Sequence, residues 1–241
     1  MYAQLTSTDW VITGRSDEPR IFYKGGPSIY DLNEDFPASG TSKTIDSWTY
    51  SQVENDTVYI VRIADSTATA IPSDMPYNYL RNSSGQIAPV SFSELCMGAA
   101  SLTDVSNLAN LPVRYTSGLS YAFKKCTSLK TITSTANWDV SGVISFQEIF
   151  ATGNANENLP SVLETVDLSY WDLTTQDHTL TDMFDGCDKL QSVKIFKTRA
   201  KILTVLPGEI TEWKVNDVPL TDTNWNTSWG IGPIELTHDV V

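Results

Sequence analysis

The chain predicts an α+β repeat fold: a short solenoid of about four copies, with a β-rich N-terminal module before it and a β-rich C-terminal cap after it. Three observations predict this. An apolar pattern returns four times between Phe92 and Ile195, the copies keep a fixed spacing, and the flanks carry short apolar runs broken by turn residues. The copies are Phe92/Cys96/Ala99/Leu102/Val105, Leu119/Phe123/Cys126/Leu129/Ile132, Phe146/Phe150 with Leu163/Val166, and Leu180/Phe184/Cys187/Leu190/Val193. Cys96 to Phe123 is 27 residues and Phe123 to Phe150 again 27, whereas Phe150 to Phe184 is 34. The extra 7 residues fall in the polar run 151–160, where the step from Phe150 to Leu163 is 13 rather than 6. Such a period on apolar anchors is the mark of a leucine-rich-repeat solenoid.

The chain divides into residues 1–75, a β-rich module; 76–200, the solenoid with its connector; and 201–241, the cap. In the first part, the runs Trp10–Thr13 and Arg20–Tyr23 flank a polar turn and predict a hairpin. The best single strand is 56–63, with Tyr59, Val61 and Ile63 on one face. The stretch 31–43 has the composition of a long exposed loop and is a candidate for reaching a neighbouring subunit of a homo-oligomer. Residues 72–91, rich in Pro, Asn, Ser and Gly, read as a connector. In each copy, anchors at 0, 4 and 7, such as Leu119, Phe123 and Cys126, share one side of a short helix. A strand then follows, with Val193 and Ile195 on one face of the last. One unit cannot shield its apolar side alone, so copies must stack and both ends must be covered. The apolar run 202–206 is a candidate cover for the last copy.

Two copies, Tyr121-Ala-Phe-Lys-Lys-Cys126-Thr-Ser-Leu129-Lys-Thr-Ile132 and Asp182-Met-Phe184-Asp-Gly-Cys187-Asp-Lys-Leu190-Gln-Ser-Val193, resemble the BspA-like leucine-rich repeats of bacterial surface proteins. The segments around Leu168, Trp171 and Trp138 look like the Leu-Asp-Leu-Ser-x-Trp-Asp stretch of a related surface-protein repeat. The match covers roughly 100 of 241 residues; the first copy departs from it with Cys96 where Phe is usual. The resemblance implies a repeat fold that binds other molecules through its surface and no catalytic residues.

Composition narrows the partners. A net charge of −13, with no run of adjacent Lys or Arg longer than a pair, argues against nucleic acid and anionic membranes. No apolar run is long enough for a transmembrane helix, and the first ten residues lack the pattern of a secretory signal, so export by that route is not expected. Cys126 and Cys187 lie two copies apart, about 10 Å if successive strands are spaced as in a sheet, which is beyond disulfide reach. A bridge from Cys96 to Cys126 would need misplaced geometry, so all three cysteines are expected as buried free thiols. His178 and His238 have no ligand spacing, and no metal or cofactor is expected.

Catalytic motifs are absent from the sequence: there is no nucleophile elbow, phosphate loop or zinc-protease pattern. A carboxylate pair for sugar cleavage stays open only because 29 acidic residues always offer one. Asp182, Asp185 and Asp188 do not have EF-hand spacing and read as solvated turn acids. Asn55, Asn82 and Asn226 begin glycosylation sequons. Trp138 and Trp171 recur in matching places and read as repeat packing, while Trp213, Trp225 and Trp229 crowd the tail. Those three are the candidate partner-binding residues, for a sugar face or a protein hot spot; the plainer reading is that they fill the cap or a subunit interface. Three functions follow, in order of preference. The first is a structural or attachment protein of a bacteriophage virion, contacting other virion proteins, host protein or glycan. The second is a bacterial cell-surface adhesin, and the third a glycan-degrading enzyme.

Overall fold

The computed structural model describes residues 10–13, 20–23, 30–31, 41–52, 58–74, 76, 79–81, 87–111, 113, 116, 118–135, 138–152, 159–171, 173, 178–196, 200–221 and 233–239. Outside them fall Trp225, Trp229, the three sequon asparagines, most of the insertion and most of the 31–43 stretch. Two strands, β1 (Trp10–Thr13) and β2 (Arg20–Tyr23), form the expected antiparallel hairpin, with Trp10 opposite Tyr23.

An N-terminal sheet contains β3 (Tyr30–Asp31), β4 (Ser42–Ile45), β5 (Trp48–Gln52), β6 (Tyr59–Ile63), β7 (Tyr79–Arg81) and β8 (Ile87–Ser91), in the order β3-β7-β8-β6-β5-β4. Tyr59, Val61 and Ile63 of β6 are buried and Arg62 is exposed, the alternation a half-buried strand requires. The connector expected at 72–91 is corrected. From Tyr79 onward it supplies β7 and β8, and β8 runs parallel to β6, so the N-terminal sheet reaches the first repeat anchor. Pro89 in β8 lowers strand propensity, which tertiary pairing overrides here.

The second sheet holds β9 (Thr131–Ile132), β10 (Thr165–Leu168) and β11 (Ser192–Phe196), parallel and in register, Ile132 beside Val166 beside Val193. The tail closes its far edge. Strand β14 (Pro233–His238) pairs antiparallel with β11, followed outward by β12 (Trp213–Val215) and β13 (Val218–Pro219).

The α+β leucine-rich-repeat solenoid is overturned. The fold is mostly β-sheet, and the longest helical stretch among the described residues is the six-residue 3-10 helix Ala200–Val205. Where helices were expected, residues 93–98, 120–125, 147–150 and 181–186 are runs of turns. The reason is backbone hand: Glu94, Tyr121, Glu148 and Asp182 occupy one position of the four copies, and all have positive φ, between 50° and 69°. Left-handed residues at that place interrupt any right-handed helix. The turn run nonetheless buries the set a helix would bury, such as Leu119, Ala122, Phe123 and Cys126, so apolar spacing could not tell the two apart.

Hydrogen bonds show what replaces the helix. Alternate amides bond back three residues, as Ala122 to Leu119 and Cys126 to Phe123. The amides between them reach the next copy: Cys96 N–H donates to the Ala122 carbonyl at 2.7 Å, Phe123 to Ile149 at 2.9 Å, and Phe150 to Met183 at 3.1 Å. Each turn run therefore needs a neighbour to satisfy its backbone. Inside the stack, the Phe123 and Phe150 rings lie 5.8 Å apart and Phe150 and Phe184 5.4 Å apart, nearly parallel. Trp138 and Trp171 stack alongside at 6.1 Å, their indole N–H groups donating to the Leu108 and Thr135 carbonyls. One hydrophobic core runs from Ile45 through all four copies to Leu236.

Candidate binding surface

The residue types that carry chemistry are mostly spent on packing. Cys96, Cys126 and Cys187 are buried free thiols, and the Sγ of Cys126 and of Cys187 each donates to a carbonyl of the preceding copy, Cys96 and Phe150. Burial pushes the thiol pKa of Cys126 and of Cys187 up to about 12, which makes them poor nucleophiles. His178 is buried, with Nδ1 2.7 Å from the Val143 carbonyl and its ring edge against Phe146. Among the described residues no group of three His, Cys, Asp or Glu could hold a metal ion, and no helix is long and apolar enough to cross a membrane.

Trp213, read from the sequence as a partner-binding residue, is corrected. Its ring is fully buried in the C-terminal sheet, stacks on His238 at 5.0 Å and donates to the Pro207 carbonyl. An indole so enclosed fills the cap and offers no face to a partner. Trp225 and Trp229 lie outside the described residues.

What the structure brings together instead is the two ends of the turn stack. At the first end, Ile63 of β6 donates its N–H to the Leu95 carbonyl at 2.8 Å, so the N-terminal sheet acts as the rung before the first copy. Arg62 on the same strand pairs with Glu94, and Lys124 of the second copy pairs with Glu148 of the third, each an acid at the left-handed position met by a base from the rung before. Such partly exposed pairs add little energy but set which charges face each other.

The last end is different. By position, Asp182, Phe184 and Gly186 are the donors that in earlier copies reach a following rung, yet among the described residues no backbone carbonyl accepts from them. Phe184 is 1% exposed. All three line a cavity of about 460 Å³ with Asp185 and Asp188, and residues 204–208 form its opposite wall. The expected cover at 202–206 is thus partial: Leu203 and Leu206 join the core, but a gap separates their segment from the last turn run. Asp185 has its carboxyl pKa raised, first by desolvation and then by the charges of Asp182 and Glu148, with Asp188 adding a smaller part and the Gly186 amide opposing. Sequence reasoning noticed these acids but missed the edge behind them. The signal was the absence of a fifth copy after Val193.

Comparison with family models, with curated proteins and with solved structures gives no match.

Proposed function

We propose that this chain is a non-enzymatic structural or attachment protein of a bacteriophage virion, which binds protein partners or the host surface through its stacked turns. The observation that carries the reading is the distribution of chemistry. Thiols, His178 and the stacked indoles are enclosed in the core, and among the described residues the end of the stack presents a row of backbone donors with a cavity beside it. A surface that recognises by shape and backbone needs no activated nucleophile. The resemblance of the Phe123 and Phe184 copies to surface-protein repeats favours display outside a cell, and it supports the adhesin as the second reading. An antibody against the chain should decorate purified phage particles. Labelling of intact bacterial cells and none of particles would replace the virion with the adhesin. Release of sugar fragments from host glycan by the pure protein would defeat both.

A further inference from the structure

We infer that the open edge of the last turn run, at Asp182, Phe184 and Gly186, is a docking site for an extended, basic segment of another protein, which lies in the cavity as a fifth rung. This deepens the attachment reading by naming where a partner sits, and it rests on that reading only for the partner being a protein.

The donors choose the kind of ligand. In every filled junction of the stack, amides on alternate residues meet backbone carbonyls of a neighbouring stretch: Glu94 to Ser120, Cys96 to Ala122 and Gly98 to Lys124 in one, and Tyr121, Phe123 and Lys125 to Gln147, Ile149 and Ala151 in the next. Asp182, Phe184 and Gly186 stand at those same three positions with the same left-handed residues, 53° at Asp182 and 71° at Gly186. A polypeptide is the ligand whose acceptors repeat at that interval. Phe184 sharpens the point, because it lines the cavity and no backbone carbonyl among the described residues accepts its N–H. The Gly186 amide is in part held by the Asp185 carboxylate, so an arriving chain makes two new bonds outright and competes for the third.

The rim chooses the charge. Glu94 and Glu148 are each met by a base, but Ala151 stands where the second copy has Lys124, and Asp182 makes no ion pair among the described residues. Asp182, Asp185 and Asp188 thus line the cavity with no ion pair among the described residues, which favours Lys or Arg side chains on the incoming chain. A second copy is a poor occupant. The complementary end of the stack is already taken by the Ile63 to Leu95 bond, and a chain of net charge −13 repels itself. The volume lies in the usual range for a ligand site, about 300–1,000 Å³, which suits a short peptide stretch.

The test uses the full chain labelled for amide NMR, titrated with an alternating Lys-Thr decapeptide, its Glu-Thr counterpart and spermidine, which has charge but no carbonyls. Without ligand, the Asp182 and Phe184 amides should exchange with solvent faster than those of Tyr121 and Phe123. The Lys-Thr peptide should shift and protect Asp182, Phe184 and Gly186, and the other two ligands should not protect them. The double variant Asp185→Lys, Asp188→Lys should unfold at a Tm no lower than that of the parent and bind the basic peptide at least about tenfold more weakly. The proposal is overturned if these amides are already as slow as Phe123, if spermidine protects them equally, or if the shifts scatter over the acidic surface. Particle decoration is scored independently, so decorated particles with no edge protection remove this site and leave attachment standing.

Discussion

Replacing Phe150 by Ala probes the feature on which the stack depends. The ring is 2% exposed and lies between Phe123 and Phe184 at 5.8 and 5.4 Å, with interplanar angles of 12° and 14°. Emptying such a site costs about 3–5 kcal/mol, a total that includes the two lost ring stacks. That is a large fraction of the whole stability of a typical domain, about 5–15 kcal/mol, so Phe150→Ala should unfold at much lower urea than the parent. Phe150→Leu keeps most of the volume and should lose about 1–3 kcal/mol. The assay is urea unfolding followed by Trp fluorescence, reading the midpoint at constant slope. Double-mutant cycles make the result specific: Phe123→Leu with Phe150→Leu should couple by about 0.5–1.5 kcal/mol, and Phe123→Leu with Phe184→Leu by close to zero. A wild-type midpoint for Phe150→Ala, or equal coupling in the two cycles, would refute the ladder.

Three further outcomes follow from the geometry. Gly98 has φ of 78° and no atom within 4 Å of an added Cβ, so Gly98→Ala isolates backbone hand and should cost about 1–2 kcal/mol in chemical denaturation. Native protein should not react with iodoacetamide at pH 8, and all three cysteines should react once it is unfolded; rapid labelling of Cys126 or Cys187 in native conditions would contradict their burial. Asp185 has a folded pKa above its unfolded one, so its charge destabilises the fold as pH rises through that interval and remains a penalty above it. Asp185→Asn should therefore raise Tm at pH 7, and the gain should vanish below about pH 3.9, where both states are protonated.

Much of the packing was legible in the sequence because burial leaves a local trace. The spacing that aligned Phe123, Phe150 and Phe184 is the spacing of their rings in space, and Ile132, Val166 and Val193 are neighbours in register as the copies required. The free thiols followed from the same alignment. The helices did not exist, since residues 119, 122, 123 and 126 point inward from a turn run as they would from a helix. The partner-binding reading of Trp213 failed for a related reason. Composition can show that aromatic rings are concentrated, but it cannot show that β12 folds this one under the sheet beside His238.

By itself, the sequence determined which residues repeat, which of them are apolar and in what register the copies superpose, because hydrophobic anchors must recur wherever stacked units share a core. Tertiary structure alone decided the hand of each turn, the assignment of Ile87–Ser91 to the N-terminal sheet, the closure of β11 by β14 and the open donors at Asp182 and Phe184. Those features depend on which carbonyl stands opposite which amide across residues far apart in the chain, and no local pattern of side chains carries that information.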